Sequence, residues 1–430
     1  MSGYTAIVSR ITTRPHPNAD RLQLGVCCGA QVVVGLETKT GSLGIYFPTD
    51  GQLGHEFCVQ NHLYTASART RLGLAEGPVG FFDHKARVRA QTFRGSKSEG
   101  IWLSLETLLW TGTDPSTLKE GDTFTEWGGQ EICKKYLTPA TLRAMKGGTP
   151  KTRREVKCFP KHDVTKQFRF VADSIPEDAV IWITEKLHGT SGRYGCVWDE
   201  EPVSWWRRIT HALVPTLCAT PAYRYLHGSK NVVLEKADER NSWYGTDAFR
   251  YQATEGLSLH KGEVLYFELV GWASEATPIM PPHDVTKTGL KEIKAQYGDT
   301  IHYTYGCPQG TCRLYVYKIA MVNPDGVAVE LSWPEMVRRC GELGLAHVPL
   351  LAGPIVHSQL AGGTGALRER VDLHVSGPST LSPAQIREGV VVRVESTQGI
   401  THIKHKSFEF GVLEGYLAED DTFVDTEDVA

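Results

Sequence analysis

The sequence predicts an α+β fold with largely antiparallel sheets, in which a β-rich N-terminal part precedes a larger mixed domain. Residues 1–135 consist of short β-rich runs separated by turn residues, which is an all-β pattern. Residues 161–418 combine such runs with helical segments, but without the regular alternation that predicts a parallel sheet. Residues 136–160 between them are basic and contain glycine and proline, as linkers do, and residues 419–430 form an acidic tail.

The first strands are expected to belong to a small β-barrel. TAIVSRI (5–11) and QVVVGL (31–36) are rich in β-branched residues, and the turn residues of PHPNADRL (15–22) separate them. Many short strands with frequent turns are typical of such barrels. The N-terminal region is therefore predicted to be a nucleic-acid-binding barrel or a plain structural one.

One strand of this region carries a basic face. Apolar and polar residues alternate in KARVRAQTF (85–93), so Arg87 and Arg89 are expected to point to solvent from one face of a half-buried strand. Arg94 follows directly in the sequence. Small barrels bind nucleic acid through a strand face and loops, and these arginines are the predicted contacts. A merely solvated outer face is the simpler interpretation of this strand alone.

The mixed domain is predicted to contain sheets flanked by helices. The expected strands are AVIWITEK (179–186), GEVLYFELVG (262–271), RLYVYKIAM (313–321), EGVVVRVES (388–396) and ITHIKHK (400–406). One helix is expected at WPEMVRRCGELG (333–344), opened by Ser332 and closed by Gly344. A second is expected at SPAQIREG (382–389), with Ser382 as its cap and proline at its first position.

Composition indicates a globular protein of a reducing compartment. Hydrophobic residues make up 41% of the chain and charged residues 22%, which is ordinary. No stretch approaches the ~18 apolar residues of a membrane helix, and the start does not resemble a signal peptide, so a cytoplasmic location without a membrane partner is expected. The 10 cysteines lack framework spacing and are expected to be free thiols. A zinc site of Cys307, Cys312 and His302 is the less favoured alternative.

Six segments of the mixed domain carry side chains suited to catalysis. In chain order they are TEKLHG with Lys186 and His188, GSKN with Lys230, FELVG with Glu268, YVYKI with Tyr317, REGVVVR with Glu388, and HIKHK with Lys404 and Lys406. Lys404 and Lys406 are two apart in a strand, so their ammonium groups share a face. A hairpin joined near residues 397–399 would bring Glu388 into the same cleft. Each segment alone is a weak signal.

Together and in this order, the segments resemble the nucleotidyltransferase motifs of the covalent ligases. The Lys-x-His-Gly form at residues 186–189 is similar to RNA ligases, whereas DNA ligases and capping enzymes more often carry Lys-x-Asp-Gly. PHPNADRL, FPTDGQL, RVRAQTFRGSKSEGIWL and ICKKYLTP resemble the N-terminal region of the Deinococcus-type RNA ligase family. The resemblance implies an OB-fold nucleic-acid-binding module, an OB-like β-barrel, at residues 1–135. It also implies a nucleotidyltransferase (ligase adenylation) domain at residues 161–418.

The resemblance implies that the first motif transfers AMP from ATP. Lys186 would attack the α-phosphorus of ATP, giving a lysyl-adenylate and pyrophosphate, and His188 would assist beside it. Glu185 and Gly189 would flank the bound nucleotide. Glu388 would help to hold a magnesium ion, or manganese in its place.

The resemblance assigns the remaining motif residues to nucleotide binding. Glu268 would hydrogen bond the ribose hydroxyls, and Tyr317 would stack on the adenine. Lys230 stands where the family commonly has an arginine that contacts ribose or phosphate. Lys404 and Lys406 would neutralise the phosphates.

These residue types suit the chemistry independently of the resemblance. A lysine attacks only as the free amine, and its ordinary pKa of ~10.4 is lowered by burial and by neighbouring cations. The same cations stabilise the charge of a phosphoryl transition state. Magnesium prefers one or two carboxylates together with phosphate oxygens and waters.

The sequence therefore predicts an ATP-dependent RNA ligase that joins 3′-hydroxyl and 5′-phosphate ends. By the family parallel, its partner is a nicked RNA or RNA/DNA duplex whose 3′-hydroxyl strand is RNA, and no oligomer is implied. The basic face with Arg87, Arg89 and Arg94 would grip this duplex. Mutation of that face is expected to weaken sealing and leave self-adenylation intact.

Two alternatives stay open at this point. A DNA ligase or capping enzyme usually carries a further OB domain after the Lys-x-Lys strand, whereas the residues after Lys406 are few and acidic. A non-catalytic tRNA- or RNA-binding adaptor with a degenerate ligase domain is the other alternative. It is disfavoured because the nucleophile, Lys186, is present.

Overall fold

The computed structural model describes residues 4–147, 154–199, 222–234 and 244–417. The predicted acidic tail and the centre of the predicted basic linker lie outside these ranges. No helix of the described residues is long and apolar enough to cross a membrane.

Residues 4–135, here called the N-terminal module, contain short strands that pair in five sheets. The strands are β1 (Ala6–Arg10), β2 (Thr12–Pro15), β3 (Leu22–Cys27), β4 (Ala30–Gly35), β5 (Leu43–Phe47), β6 (Gly51–Leu53), β7 (Arg87–Val88), β8 (Ala90–Phe93), β9 (Ser96–Glu99), β10 (Ile101–Ser104), β11 (Thr123–Phe124), β12 (Glu126–Trp127), β13 (Gln130–Glu131) and β14 (Cys133–Lys135). Helices α1 (His55–Gln60) and α2 (Ala66–Arg71) follow β6. None of these five sheets closes on itself, so the β-rich character is confirmed and the OB-like barrel is not.

The predicted continuous strand over residues 85–93 is wrong. Strand β7 ends at Val88 and pairs with β6, whereas β8 begins at Ala90 and forms a hairpin with β9. Ala86 has a φ of 48°, which interrupts the extended backbone before β7. The alternation in the sequence therefore spans two separate sheets, and it does not describe a single exposed face.

The rest of the described chain is built around two larger sheets. Its strands are β15 (Lys166–Gln167), β16 (Val180–Lys186), β17 (Thr190–Asp199), β18 (Ala222–Ser229), β19 (Val233–Leu234), β20 (Glu263–Gly271), β21 (His283–Asp284), β22 (Thr300–Ile301), β23 (Cys312–Val322), β24 (Ala328–Glu330), β25 (Ala346–His347), β26 (Leu350–Val356), β27 (Gly389–Ser396) and β28 (Gly399–Lys406). Its helices are α3 (Pro139–Gly147), α4 (Phe168–Val171), α5 (Ala248–Gln252), α6 (Lys291–Tyr297), α7 (Trp333–Leu343), α8 (Gly363–Val375) and α9 (Phe408–Leu417).

The two sheets are mainly antiparallel, as predicted. The five-stranded sheet has the order β15-β28-β27-β16-β26, and the seven-stranded sheet has the order β19-β18-β17-β20-β23-β24 with β25 on β23. Among the described pairs, β15–β28 and β23–β25 are parallel. The predicted strands at 179–186, 262–271, 313–321, 388–396 and 400–406 are confirmed to within a residue or two.

Apolar side chains fix both sheets. Ile183 and Val392 of the five-stranded sheet are fully buried and belong to one core with Leu367 of α8. Trp182, which projects from the opposite face of β16, shares a second core with Phe267 of the seven-stranded sheet. Because successive strand residues point to opposite faces, β16 is buried on both sides and joins the two sheets.

One of the two predicted helices is confirmed. Helix α7 begins after Ser332, which forms a capping box with Glu335, and it ends at Gly344 in the left-handed conformation. The helix predicted at residues 382–389 is wrong. There the Arg387 N–H donates to Gly377 O, and Ser379 N–H donates to Gln385 O, each at 2.9 Å, so the backbone pairs across a turn.

Candidate active site

The two large sheets form two walls of a cavity of about 1690 Å³, which residues of the N-terminal module also line. Eleven predicted site residues line it: Arg87, Glu185, Lys186, His188, Gly189, Lys230, Glu268, Tyr317, Glu388, Lys404 and Lys406. The structure thus brings together residues that are spread over more than two hundred positions of the sequence. We call the side with β16, β27 and β28 the five-stranded wall and the side with β17, β20 and β23 the seven-stranded wall.

Lys186 ends strand β16 and points into the cavity. Its backbone pairs with Gly389, the first residue of β27, and its side chain is 23% exposed. Its Nζ lies 2.8 Å from Oε1 of Glu388. The lysine is therefore held against a carboxylate in the cleft, and it does not extend into bulk solvent.

Glu388 is the centre of a charged network. Its side chain is 3% exposed, and its Oε1 also lies 3.5 Å from Nζ of Lys406. Its Oε2 lies 3.8 Å from Nδ1 of His188 and has no hydrogen-bond partner within the described part of the chain. A buried carboxylate oxygen without a donor is costly unless a ligand contacts it.

The donors at this point fit a divalent cation that is shared with a substrate. The described residues contain no cluster of three His, Cys, Asp or Glu side chains that could hold a metal alone. A magnesium ion typically takes one or two carboxylates and completes its shell with phosphate oxygens and waters, and Glu388 with its available Oε2 matches that pattern. The zinc alternative of Cys307, Cys312 and His302 gains no support, since these side chains form no such cluster in the described part of the chain and the two thiols donate to the carbonyl oxygens of Val270 and Phe249.

Lys404 and Lys406 reach the cavity from the same face of β28, as predicted. The hairpin register pairs Val391 with Lys404 and Gly389 with Lys406. Both carboxylate oxygens of Glu414 lie 2.7 Å from Nζ of Lys406. Burial alone would lower the pKa of Lys406, but Glu414 and Glu388 together raise that pKa well above its usual range. Lys406 is therefore a fixed cation.

His188 sits in an aromatic pocket next to this network. Its backbone N–H donates to the Tyr305 hydroxyl at 2.7 Å, and its ring contacts the edges or faces of Tyr303 and Phe410 at centroid distances of 4.8 Å. A second buried histidine, His283, lies 5.5 Å away, and burial and His188 lower its pKa to about 3. The ring of His188 is thus held beside Glu388.

Gly189 and Glu185 are held by packing around the nucleophile. A Cβ on Gly189 would lie 2.3 Å from the carbonyl oxygen of Leu269, so only glycine allows β17 to begin against β20. Oε2 of Glu185 accepts a 2.9 Å hydrogen bond from the Thr380 N–H, and its Oε1 lacks a partner among the described residues. Glu185 thereby ties the loop at Thr380 to the strand that ends in Lys186.

The seven-stranded wall presents a different set of groups. Glu268 lies in β20, opposite Ser191 of β17, and its Oε2 accepts a 3.1 Å hydrogen bond from the Ser191 hydroxyl. Lys230 lies in the turn after β18. All are half-buried at the cavity surface.

Tyr317 occupies a β-bulge in this wall. Tyr266 pairs with Lys318 and Phe267 pairs with Val316, so Tyr317 is the extra residue between them. A bulge re-aims the side chain it contains, which turns this ring toward the cavity. The Tyr317 hydroxyl hydrogen bonds Nδ1 of His162, a residue of the segment that precedes the five-stranded sheet. The hydroxyl therefore has a half-buried partner.

The structure corrects the predicted basic face of residues 85–93. Arg87 is 9% exposed, and its Nη1 donates to Gly415 O at 2.7 Å. The guanidinium of Arg89 lies 5.3 Å from the centre of the Tyr416 ring. Helix α9 covers both side chains, and only Arg94 of the predicted set is exposed, in the turn of the β8–β9 hairpin. Arg87 and Arg89 therefore contact another part of the protein. The alternation of residues along a strand cannot reveal that a helix covers one of its faces.

Among the cavity residues that were not predicted from the sequence, three contact the predicted site residues. Glu414 lies in α9, His162 in the lead-in segment and His283 in β21. None belongs to a motif; His162 and His283 come from segments outside the motifs, and Glu414 lies in the helix that follows β28. The sequence analysis described the residues after Lys406 only as acidic, and the structure shows that Glu414 among them contacts Lys406 in the cavity.

The fold is that of solved RNA ligases. The RNA ligase of Naegleria gruberi solved with PPi has 16% sequence identity and a TM-score of 0.56, covering 97% of this chain and 99% of its own. A mutant of that ligase solved with ATP and Mn has 14% sequence identity and a TM-score of 0.55, again covering 97% of this chain and 99% of its own. An apo mutant has 15% sequence identity and a TM-score of 0.56, covering 96% of this chain and 98% of its own. At this identity the likeness establishes the fold alone. No curated protein matches the sequence.

Family membership follows from the sequence itself. The family model described as RNA ligase matches residues 179–408, from the strand that ends in Lys186 to the start of α9. This range is more than half of the chain, and the chain belongs to the RNA ligase family. The predicted enzyme class is thereby confirmed, and the DNA ligase alternative is disfavoured. The Deinococcus-type subfamily is not confirmed.

Proposed function

We propose that the protein is an ATP-dependent RNA ligase that works through a lysyl-adenylate on Lys186. The observation that carries this proposal is the contact of Lys186 Nζ with Glu388 at 2.8 Å, in a cavity that also contains Lys404 and Lys406. A nucleotidyl transfer requires a nucleophile among groups that offset phosphate charge, and this cluster supplies both. A mutant of the structurally similar Naegleria ligase has been solved with ATP and Mn. This supports ATP as the substrate of the present protein and a divalent cation as its cofactor.

In the first step, the amine of Lys186 would attack the α-phosphorus of ATP, and pyrophosphate would leave. Glu388 would orient Lys186 and hold the cation, and Lys404 and Lys406 would offset the charge of the leaving phosphates. Bound at Glu388, Mg²⁺ or Mn²⁺ would supply positive charge to the phosphates and favour the free amine of Lys186 by drawing negative charge away from it. His188 would support Glu388 from the aromatic pocket.

The nucleoside would bind against the seven-stranded wall. Glu268 would accept hydrogen bonds from the ribose hydroxyls, and the bulged ring of Tyr317 would stack on the adenine. Lys230 would contact ribose or phosphate. Glu185 would keep Lys186 and the Thr380 loop in register, and Gly189 would allow the first turn after the nucleophile.

In the later steps, AMP would pass to a 5′-phosphate, and a 3′-hydroxyl would displace it to form the phosphodiester. The family parallel favours a nick in a duplex whose 3′-hydroxyl strand is RNA. Arg94 at the exposed hairpin turn is the remaining candidate for a phosphate contact, since Arg87 and Arg89 are covered by α9. The cytoplasmic location and the domain limits at residues 135, 160 and 418 stay predictions from the sequence.

The proposal is tested by incubation with ATP labelled at the α-phosphate and Mg²⁺. We expect the wild type to acquire label that is stable to denaturation, and Lys186→Ala to acquire none. A wild type without label would favour the non-catalytic adaptor. Sealing of nicked duplexes with RNA or DNA on each side would then define the substrate, with Arg94→Ala expected to weaken sealing.

A further inference from the structure

Helix α9 lies against the N-terminal module along its glycine face. A Cβ on Gly411 would lie 3.7 Å from that of Ala90, and one on Gly415 would lie 3.9 Å from that of Arg89. Gly411 and Gly415 are four residues apart and therefore share one side of the helix. This side of the helix therefore packs directly on residues 89 and 90 of the N-terminal module.

The same helix contacts the active site with other residues. Phe410 packs on the ring of His188, with centroids 4.8 Å apart. Glu414 contacts Lys406 with both carboxylate oxygens at 2.7 Å. Burial would raise the pKa of Glu414, but Lys406 lowers it to about 2, so this carboxylate is ionised. Helix α9 thus contacts both the N-terminal module and the charged network.

Arg87 fixes the helix at the turn that carries Glu414. Its Nη1 donates to the carbonyl oxygen of Gly415, the next residue, at 2.7 Å. Its guanidinium lies 4.7 Å from the centre of the Tyr136 ring and 3.8 Å from Oδ1 of Asp50. A cation at the C-terminal end of a helix is favourable because the last carbonyls lack intrahelical donors. The module therefore clamps the helix end beside the active site.

At the other end of the helix, a second contact holds it. Lys97 of β9 forms an ion pair with Glu409 at 2.6 Å and lies over the Phe408 ring at 4.9 Å. The helix is anchored to the N-terminal module at both ends.

We propose that Glu414 is a positioning residue for Lys406 in the transfer of AMP, and that Arg87 of the N-terminal module holds the helix on which Glu414 lies. A lysine side chain has four rotatable bonds, and a contact through both oxygens of one carboxylate restricts them. Without Glu414, the ammonium group can swing toward Glu388, where Lys186 already makes its contact. The N-terminal module then takes part in self-adenylation, contrary to the division of labour that the sequence predicts.

This inference rests on the proposed function, and its test separates the two. The measurement is the single-turnover rate of label transfer from α-labelled ATP to the enzyme, together with the ATP concentration that gives half of that rate. We expect Glu414→Gln to lower the maximal rate roughly 10- to 100-fold, since a displacement of about 1 Å in a catalytic group has such an effect. The half-saturating ATP concentration should change far less. Glu414→Asp should restore part of the rate because it keeps the charge.

The role of the N-terminal module is tested with a matched pair of arginines. Arg87→Met removes the contact to Gly415, whereas Arg71→Met makes the same substitution at an exposed position at the end of α2. We expect Arg87→Met to slow label transfer about 10-fold and Arg71→Met to leave it unchanged. Thermal melting of each variant establishes that the folded fraction is the same.

The following outcomes would contradict these proposals. Wild-type rates in Glu414→Gln, or a rate in Glu414→Asp no higher than in Glu414→Gln, would overturn the positioning role of Glu414. Equal rates for the two arginine variants would overturn the role of the N-terminal module. Absence of label on the wild type, or label on Lys186→Ala, would contradict the proposed function itself.

Discussion

The two walls of the cleft carry different kinds of contacts. On the five-stranded wall, the ammonium groups of Lys186 and Lys406 lie 2.8 Å and 3.5 Å from Oε1 of Glu388, which is almost wholly buried. On the seven-stranded wall, Glu268 accepts a hydrogen bond from the Ser191 hydroxyl, and the Tyr317 hydroxyl hydrogen bonds the imidazole of His162. The five-stranded wall thus holds the buried ion pairs around Lys186, whereas the seven-stranded wall contributes hydrogen-bonding groups and an aromatic ring, together with the charged side chains of Lys230 and Lys318.

This difference suggests how the reaction is divided. A buried charge network affects mainly a step in which charge moves, because its interactions are strong in a low dielectric. Hydrogen bonds to a ribose and stacking on a base act equally in the ground and transition states, so they change affinity more than rate. Substitutions in the five-stranded wall should therefore lower the rate constant, and those in the seven-stranded wall should raise KM for ATP.

Lys186→Ala should have the largest effect. Removal of the amine removes the atom that bonds to phosphorus, so self-adenylation should fall below detection. The measurement is label transfer from α-labelled ATP, with ATP binding by the same variant as the control for an intact pocket. Residual labelling above a few per cent would place the nucleophile elsewhere.

Glu388→Gln should lower the rate of self-adenylation about 100-fold, through loss of the metal-binding carboxylate and of the contact that orients Lys186. The metal dependence distinguishes this from a folding defect. We expect the half-saturating Mn²⁺ concentration to rise together with the fall in rate. An unchanged metal requirement would mean that the carboxylate acts on Lys186 alone.

Glu268→Gln should raise KM for ATP about 10-fold and change the maximal rate by no more than a few-fold. The neutral amide keeps the shape of the side chain but weakens its acceptance of two ribose hydroxyls. Comparison of ATP with 2′-deoxy-ATP sharpens the test, because the variant should discriminate less between them. A large loss of maximal rate instead would contradict the proposal that the seven-stranded wall affects mainly KM for ATP.

Tyr317→Phe should have the smallest effect, about 2-fold in KM for ATP, because the ring that stacks is retained. Tyr317→Leu, which removes the ring, is the matched comparison and should raise KM by roughly 10-fold. Equal effects of the two substitutions would show that the hydrogen bond to His162 matters more than stacking.

Some features of the site follow from local sequence patterns, whereas others depend on tertiary packing. The strand that ends in Lys186 and the hairpin that carries Lys404 and Lys406 follow from β-rich runs and from the period of two in a strand, and both are confirmed. The same alternation gave a wrong prediction for Arg87, which was expected to be exposed, because a helix from the other end of the chain covers its side chain. The helix predicted at residues 382–389 failed because its backbone groups pair with residues 377 and 379.

The sequence by itself determined which residues form the motifs, where the main strands lie and that Lys404 and Lys406 share a face, because these depend on neighbours a few positions apart. Only the tertiary structure decided that Glu414 holds Lys406, that His162 hydrogen bonds Tyr317 and that Arg87 is buried. The contacts of His162 and Arg87 join segments far apart in the sequence, and Glu414, eight residues after Lys406, reaches it only because α9 packs back on the charged network; no local periodicity indicates these contacts.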